Sequence, residues 1–200
     1  AGRLRERYHK PSFVLTRGEE GVKGSGRSIE SYSMYEKLCE CKEYLTKFGG
    51  HPMAAGLSLE EENVERFRRK LNEQSGLTEE DLVEKVTIDV PMPIHYIRKD
   101  LVQELSLLEP FGKGNEKPLF AQKNLWVSQM RVFGKNRNVV KMRLTDENGY
   151  PMDGVYFGNG DEFAEEGRGK RKISIVYYPD INMYQGRESL QVIIRHYQFD

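Results

Sequence analysis

The chain has 200 residues and a mass of 23.2 kDa, enough to bury the core of one large domain or of two small ones. Its 31 Lys and Arg residues balance 31 Asp and Glu residues, which excludes a polybasic protein that holds nucleic acid by bulk charge alone. The apolar fraction of 38% excludes a disordered chain. No run approaches the roughly 18 apolar residues of a membrane span, and no signal-peptide pattern is present, so no membrane partner is expected.

Charge is distributed unevenly along the chain. It is +3 over residues 1–59 (10 basic, 7 acidic), −5 over 60–118 (9 against 14) and +2 over 119–200 (12 against 10), so the neutral total hides an acidic middle. The first residue is Ala, and the chain opens on a helix-type pattern with no capping residue before it. We therefore expect the chain to begin inside an element of a longer protein.

The two cysteines, Cys39 and Cys41, are only two residues apart. A helix directs such positions to different sides, so the pair suits neither a disulfide nor a zinc site. This use of cysteine predicts a reducing, cytoplasmic location.

Residues 1–76 alternate strand-like and helix-like patterns. Apolar residues at helical spacing stop at Gly49-Gly50, where glycine can end a helix in the left-handed conformation. The alternation predicts a small α/β domain with helices packed on a sheet. The predicted elements are a helix end at 2–9, a strand at 12–16, a Gly-rich turn, a helix at 32–48, a strand at 54–59 and a helix at 60–74.

Residues 77–85 are predicted to be an acidic linker containing a brief helix, and residues 86–200 a second domain. Strand-like runs separated by turn signals fill the end of the chain and predict about five antiparallel strands, a sandwich or small barrel. A helix-like segment between the third and fourth runs fits an oligonucleotide-binding (OB) barrel. The second domain is divided into a leading strand at 86–90, a helix that follows it and ends by 109, and a barrel at 119–200.

The segment KFGGHPMAAG, residues 47–56, combines features of a ligand site. Two glycines allow close approach of the backbone to a ligand, His51 supplies a titratable donor, and the small residues after it leave room beside the strand. The alternative is a helix C-cap followed by a core histidine.

The segment KGSGRS, residues 23–28, combines small residues with two hydroxyls and one guanidinium. Such a turn can form an anion nest in which Arg27 binds a phosphate with two nitrogens. The GxxxxGK[ST] spacing of a Walker loop is absent. An ordinary solvated loop is the alternative.

These motifs together resemble a known family. GSGRSIE at 24–30 and FGGHPMAAGLSL at 48–59 resemble the signature of the DHH-associated phosphoesterase domain, in the form found in the RecJ family of single-strand-specific exonucleases. LLEPFGKGNEKPLF at 107–120 resembles the junction into the RecJ OB domain. The resemblance covers essentially the whole chain and implies a two-domain α+β protein: a small α/β phosphate-binding domain followed by a five-stranded antiparallel OB-type β-barrel.

In that family the catalytic manganese or magnesium ions are held by a separate N-terminal DHH domain. This chain has no Asp-His-His segment, so we expect no metal ligand or cofactor in it and no hydrolysis of DNA by it alone. The resemblance implies the substrate-holding part of a 5′-to-3′ exonuclease acting in DNA repair and recombination. The implied partners are single-stranded DNA, the chain's own DHH domain and other repair proteins.

The resemblance also implies roles for single residues. Gly49, Gly50 and His51 would contact the substrate phosphate at the cleavage site, with His51 as a supporting catalytic residue that donates to a phosphate oxygen. The pocket for the terminal 5′ phosphate would be lined by Ser25, Arg27 and Ser28.

The predicted barrel contains a run of five cations with no acidic residue between them. If Val140, Met142 and Leu144 face the core, alternation places Lys141 and Arg143 on the opposite face. Nearby aromatic residues could stack on bases, although most are more typical of a core, and a basic strand face is often only solvated. The predicted strip for single-stranded DNA consists of Arg131, Lys135, Arg137, Lys141 and Arg143.

Two other functions stay open from the sequence. One is a non-catalytic module that binds single-stranded nucleic acid, and the other is a phosphodiesterase of cyclic dinucleotides or short oligonucleotides. The β domain favours long strands, because a dinucleotide needs no extended groove.

Overall fold

The structure, a computed structural model, describes residues 1–19, 21–112 and 114–200. Its contacts divide the chain into two units, Ala1–Lys85 and Val86–Asp200. The first is an α/β unit and the second is built mainly from β-strands, as predicted. No helix in the described part of the chain is long and apolar enough to cross a membrane.

The first unit is a four-stranded antiparallel sheet in the order β1 (Ser12–Gly18), β2 (Gly21–Arg27), β4 (Ala54–Leu59), β3 (Lys47–His51). Helices α2 (Met34–Cys39) and α3 (Val64–Glu73) pack on one face of this sheet. Strand β4 shows why one face is covered: Ala55, Leu57 and Leu59 are buried, whereas Gly56 between them is exposed. The buried residues pack against Met34 and other apolar side chains of the helices. The elements are α1 (Gly2–Tyr8), β1 (Ser12–Gly18), β2 (Gly21–Arg27), α2 (Met34–Cys39), a 3-10 turn (Lys42–Tyr44), β3 (Lys47–His51), β4 (Ala54–Leu59), a 3-10 turn (Glu61–Asn63), α3 (Val64–Glu73) and a 3-10 turn (Glu80–Leu82).

The predicted helix over 32–48 is wrong in its second half. Helix α2 ends at Cys39, and Gly49 and Gly50 lie in strand β3 instead of ending a helix. Pairing with β4 decides this, because Gly49 faces Gly56 across the hairpin. Phe48 still packs on the core, but it does so from a strand.

The predicted Gly-rich turn at 23–28 is also wrong, because its residues form the central strand β2. The backbone of β2 pairs with β1 on one side and β4 on the other, so its amides do not form an anion nest. A Cβ on Gly24 would lie 2.3 Å from the Leu15 side chain, and one on Gly26 would lie 2.2 Å from the Met34 sulfur. These two glycines therefore make room for core side chains.

The predicted linker at 77–85 falls within the first unit. It contains one 3-10 turn in place of the predicted helix, and Leu77 and Leu82 pack against the core of that unit.

The second unit contains five long strands that pair in a ring. The strands β6 (Phe120–Phe133), β7 (Val139–Thr145), β8 (Pro151–Phe157), β10 (Arg187–Phe199) and β9 (Lys172–Tyr184) are neighbours in that order, and β9 also pairs with β6. The prediction of an all-antiparallel arrangement is wrong at one pair, since β8 and β10 run parallel. The elements are β5 (Val90–Pro91), a 3-10 turn (Ile94–Tyr96), α4 (Lys99–Ser106), β6 (Phe120–Phe133), β7 (Val139–Thr145), β8 (Pro151–Phe157), α5 (Gly160–Glu166), β9 (Lys172–Tyr184) and β10 (Arg187–Phe199).

The helices and the leading strand of the second unit differ in how well they match the prediction. Helix α5 lies between the third and fourth long strands, as predicted, and its Phe163 is fully buried and stacks on Tyr156 at 4.8 Å. The leading strand predicted at 86–90 is wrong except at its last residue, because β5 comprises Val90–Pro91. The predicted helix after it is divided into a 3-10 turn and α4.

The described residues of the junction motif PFGKGN lie before β6 and are held by hydrogen bonds of Asn115. The side-chain amide of Asn115 donates to the carbonyl oxygens of Leu108 and Pro110 at 2.9 and 3.0 Å. Gly112 and Asn115 exchange backbone hydrogen bonds. Lys113 of this motif lies outside the described residues.

A buried aspartate fixes the turn between β7 and β8. The carboxylate of Asp146 accepts hydrogen bonds from the amides of Asn148 and Tyr150 at 2.9 and 2.8 Å, and lies 2.8 Å from Nδ1 of His95. Desolvation favours the neutral carboxyl, but these hydrogen bonds outweigh it and lower the pKa of Asp146.

Candidate nucleic-acid interface

The first sheet turns alternate residues of β2, β4 and β3 to the face opposite helices α2 and α3. Cross-strand pairing arranges these residues in three rows. We call this surface the glycine face. Its first row consists of Arg27, Ala54 and His51, its middle row of Ser25, Gly56 and Gly49, and its third row of Lys23, Ser58 and Lys47.

The middle row of the glycine face has a floor without side chains. Among the described residues, a Cβ on Gly49 would meet no atom within 4 Å, and one on Gly56 would meet only the Gly24 carbonyl oxygen at 3.9 Å. The fold therefore does not need glycine at either position, unlike Gly24 and Gly26. Because Gly49 and Gly56 have no side chain, space is left above the sheet, and the backbone of a ligand can approach closely there.

His51 stands at the end of β3, beside this floor. The backbone N–H of Met53 donates to its Nδ1 atom at 3.3 Å. The hydrogen of the neutral ring is then on Nε2, which leaves an exposed N–H donor. The preceding Gly50 has φ +151°, and a Cβ there would lie 2.3 Å from the Ala54 carbonyl oxygen, so Gly50 is required by the hairpin.

Arg27 lies in the same row as His51, with Ala54 between them. Its Nη1 donates to the Gly26 carbonyl oxygen at 2.8 Å, and its side chain is exposed. Within residues 1–19, 21–112 and 114–200, no carboxylate forms an ion pair with Arg27. A guanidinium has five N–H donors, so several stay available for an anion.

Ser28 does not reach the glycine face. Its side chain is buried and its hydroxyl donates to the Tyr32 carbonyl oxygen. Its N–H donates to the Met53 carbonyl oxygen at 2.9 Å, and the Met34 N–H donates to Pro52 at the same distance. Ser28 thus holds the turn that follows His51, and of the predicted pocket residues only Ser25 and Arg27 are exposed.

In the second unit, strand β7 separates its side chains as alternation predicts. Val140, Met142 and Leu144 are buried in the core, and Lys141 and Arg143 lie on the opposite face. Arg131 of β6 pairs directly with Lys141. We call the five predicted cations the basic strip.

Two cations of the basic strip form ion pairs with carboxylates from other parts of the sequence. Arg143 forms an ion pair with Asp153 at 2.5 Å, across from it on β8. Arg137 forms one with Asp161 at 2.6 Å, which raises the pKa of the guanidinium and lowers the pKa of the carboxyl. In the described part of the chain, the other three cations have no carboxylate partner; they are Arg131, Lys135 and Lys141.

An open depression on this face joins the strip to polar and aromatic groups. It is lined by Arg131, Lys141, Arg143, Phe133, Asn182 and Gln191, among others. Phe133 and Phe157 are 45% and 59% exposed and flank Val139 on neighbouring strands. Tyr177, by contrast, is buried and donates to the Met92 carbonyl oxygen. In OB folds the strand 2–3 face and the loop between strands 1 and 2 bind oligonucleotides, which correspond here to β7, β8 and residues 134–138.

Comparison with known families identifies both units. The family described as the DHHA1 domain matches residues 1–76, and the family described as the RecJ OB domain matches residues 88–196, more than half of the chain. The chain belongs to the RecJ family.

Curated members of the RecJ family are similar along nearly the whole chain. It is 38% identical over 201 residues to the single-stranded-DNA-specific exonuclease RecJ of Bacillus subtilis strain 168, covering 98% of this chain and 25% of that protein. It is 33% identical over 202 residues to the protein of the same name from Escherichia coli K12, covering 97% of this chain and 34% of that protein. The chain thus spans about a quarter to a third of the length of these relatives.

A solved structure of the RecJ family has the same fold. The crystal structure of RecJ in complex with Mn²⁺ from Thermus thermophilus aligns with a TM-score of 0.80 at 24% identity, covering 99% of this chain and 28% of that one. The corresponding complex with Mg²⁺ aligns with a TM-score of 0.79.

The described residues of this RecJ-family chain do not fit a metal centre. No three His, Cys, Asp or Glu side chains among them gather in a way that could hold a metal ion. Two-metal sites need such clusters, so no metal-dependent step is assigned to these residues.

The sequence-based choice of site residues missed part of the glycine face. Lys23, Lys47, Gly56 and Ser58 share the surface of the predicted residues but were not among them. The signal was period-two alternation: once β3 and β4 are recognised as strands, Lys47 and Gly49 share a face, and so do Gly56 and Ser58.

Proposed function

We propose that this chain is the substrate-holding part of a single-stranded-DNA-specific 5′-to-3′ exonuclease of DNA repair and recombination. Hydrolysis would be carried out with manganese or magnesium by a DHH domain outside this chain, which would be its partner together with single-stranded DNA and other repair proteins. The predicted reducing, cytoplasmic setting belongs to the same proposal; Cys39 and Cys41 are free thiols.

The glycine face carries this proposal. Arg27 and His51 present N–H donors across one row, and beside them the floor at Gly49 and Gly56 is open. A sugar-phosphate backbone can lie against such a floor while its phosphate oxygens accept from both donors. These contacts read no base, which fits an enzyme that acts on any sequence.

The proposed division of roles follows from position. Arg27 with Ser25 would bind the terminal 5′ phosphate, and Gly49, Gly50 and His51 would hold the phosphate at the cleavage site. His51 would donate through Nε2 as negative charge develops on a phosphate oxygen. Ser28 would act through the fold of the turn and not by touching DNA.

The basic strip would supply further contacts with single-stranded DNA. Arg131, Lys135 and Lys141 carry charge that no carboxylate in the described residues neutralises. With Phe133 and Phe157 exposed nearby, the surface offers both phosphate contacts and stacking.

Arg27→Ala in the full-length parent enzyme tests the proposal. On single strands with a 5′ phosphate we expect kcat/KM to fall about tenfold or more, as for loss of one charge-assisted phosphate contact, with a smaller loss on strands with a 5′ hydroxyl. Arg68→Ala, which removes an exposed arginine on α3, is the matched control and should change neither.

Equal losses of kcat/KM on strands with a 5′ phosphate and strands with a 5′ hydroxyl would count against an end pocket.

This chain alone should bind single-stranded DNA without degrading it. Retained salt-sensitive binding in a parent that lacks nuclease activity would favour the non-catalytic binding module, and faster cleavage of dinucleotides than of long strands would favour the phosphodiesterase.

A further inference from the structure

The third row of the glycine face is a feature that the proposed end pocket does not use. Lys23 and Lys47 lie on the strands either side of β4, and both are opposite Ser58. We call these three residues the lysine row. Strands are spaced by about 4.8 Å, so two cationic positions stand roughly 10 Å apart with one small hydroxyl residue between them.

The surroundings of the lysine row are suited to an anion. An open depression is lined by Lys23, Lys47 and Ser58 together with the floor residues Gly49 and Gly56. Lys47 is exposed, and no carboxylate of the described residues pairs with it. The Lys47 ammonium group can therefore bind an anion that lies in this depression.

Distance separates the lysine row from the end pocket. Along β4 the row of Arg27 and the lysine row are four residues apart, from Ala54 to Ser58, which corresponds to about 13 Å. Arg27 is also held by its hydrogen bond to the Gly26 carbonyl oxygen. One phosphate group is too small to contact both rows at their strand positions.

We propose that the lysine row is a second phosphate subsite, which binds a downstream phosphate of the same strand whose 5′ end occupies the Arg27 row. The backbone crosses the floor at Gly49 and Gly56 between the two subsites and runs along the strand direction of the sheet. This inference rests on the proposed function, because the anion is the phosphate backbone of single-stranded DNA.

Lys47→Gln in this chain tests the inference by fluorescence anisotropy. The probes are a 5′-phosphorylated dinucleotide, in competition, and a labelled 5′-phosphorylated oligothymidylate long enough to cross the face. We expect about five- to tenfold weaker binding of the long strand at low salt, and a fall of about 0.7 in the slope of log Kd against log salt. Dinucleotide binding should be unchanged.

Lys42→Gln is the matched control, because Lys42 is an exposed lysine in the 3-10 turn beside the helix-covered side of the sheet. It should leave both probes unaffected. An unchanged salt slope for Lys47→Gln would overturn the lysine row, and equal weakening of both probes would overturn the separation into two subsites. If Arg27→Ala weakens binding and Lys47→Gln does not, only the lysine row fails; if neither changes binding, the proposed function of this face fails with it.

Discussion

Adjacent glycines in β3 allow the structural and the ligand-binding uses of glycine to be separated by the same substitution. A Cβ added to Gly50 would lie 2.3 Å from the Ala54 carbonyl oxygen and 2.6 Å from the Ala55 Cα, at φ +151°. A Cβ added to Gly49 would meet no atom within 4 Å in the part of the chain that the structure describes. Gly50→Ala should therefore destabilise the first unit, whereas Gly49→Ala should not.

The magnitudes follow from the contacts. Overpacking against backbone costs about 1–3 kcal/mol, and the unusual φ adds about 1 kcal/mol for a residue with a Cβ, so Gly50→Ala should lower the free energy of unfolding by about 2–4 kcal/mol. Gly49→Ala should leave it unchanged or raise it by up to about 1 kcal/mol, because alanine restricts the unfolded chain. A methyl group on the floor would separate DNA from the sheet, and we expect at least about tenfold weaker binding, or about 1.4 kcal/mol.

Urea unfolding followed by far-UV circular dichroism measures the first effect, and anisotropy with a 5′-phosphorylated single strand measures the second. Trp126 is the single tryptophan and lies in the second unit, so its fluorescence reports that unit and serves as an internal reference. If Gly49→Ala destabilised the chain as much as Gly50→Ala, the space above Gly49 would not be open. If Gly49→Ala bound DNA as tightly as the wild type, the floor would not contact DNA.

Three further predictions concern charge and burial. Lys141→Ala should weaken binding of single-stranded DNA and reduce its salt slope by about 0.7, whereas Arg143→Ala should have a smaller effect because Asp153 already neutralises that arginine; equal effects in anisotropy titrations would contradict this. Asp146→Ala should lower the free energy of unfolding by about 2–4 kcal/mol, since two amides and a histidine ring lose their acceptor. Because the pKa of Asp146 is lowered in the folded state, the difference in free energy of unfolding between the wild type and Asp146→Ala should be complete above the ordinary carboxyl pKa of 3.8. Urea titrations should show this difference shrinking as the pH falls below that value, and a pH-independent difference would contradict the assignment. Ser28→Ala should lower the free energy of unfolding by about 1–2 kcal/mol and reduce the activity of the parent enzyme equally on strands with phosphorylated and unphosphorylated 5′ ends. A selective loss of activity on phosphorylated ends would place Ser28 in the end pocket instead.

The β-strands of the second unit could be predicted because each one carries its own signal. Val140, Met142 and Leu144 alternate with Lys141 and Arg143, and burial follows that alternation residue by residue. The pattern is local, so no knowledge of the partner strands is needed to assign the faces. The parallel pairing of β8 with β10 was not predictable in this way, because it depends on how the chain closes the ring.

The end of helix α2 could not be predicted from spacing. Leu45 and Phe48 are three residues apart, which fits one face of a helix, and both do pack on the core. They do so from an extended segment, because β3 pairs with β4 and the Thr46 N–H donates to the Ser58 carbonyl oxygen at 2.9 Å. Pairing of this kind overrides local preference, and a short apolar pattern does not reveal it.

Charge along the sequence was an incomplete guide to charge in space. The run from 131 to 143 contains no acidic residue, yet Arg137 and Arg143 each have a carboxylate beside them. Asp153 reaches Arg143 through the register of β7 with β8, and Asp161 reaches Arg137 from helix α5. The cationic surface that DNA would meet is therefore centred on Arg131 and Lys141, with Lys135 in the adjoining loop.

Glycine was the strongest motif signal in the first unit, and its meaning depends on which face of the sheet it occupies. Gly24 and Gly26 face inward, where neighbouring side chains fill the space that a Cβ would need. Gly49 and Gly56 face outward, where the same lack of a side chain serves no contact within the described fold. A packing demand explains the first pair, and for the second pair we propose a ligand that approaches the backbone. The sugar-phosphate chain of DNA would be such a ligand, and in the proposed arrangement the rows of Arg27 and Lys47 would bind two of its phosphates.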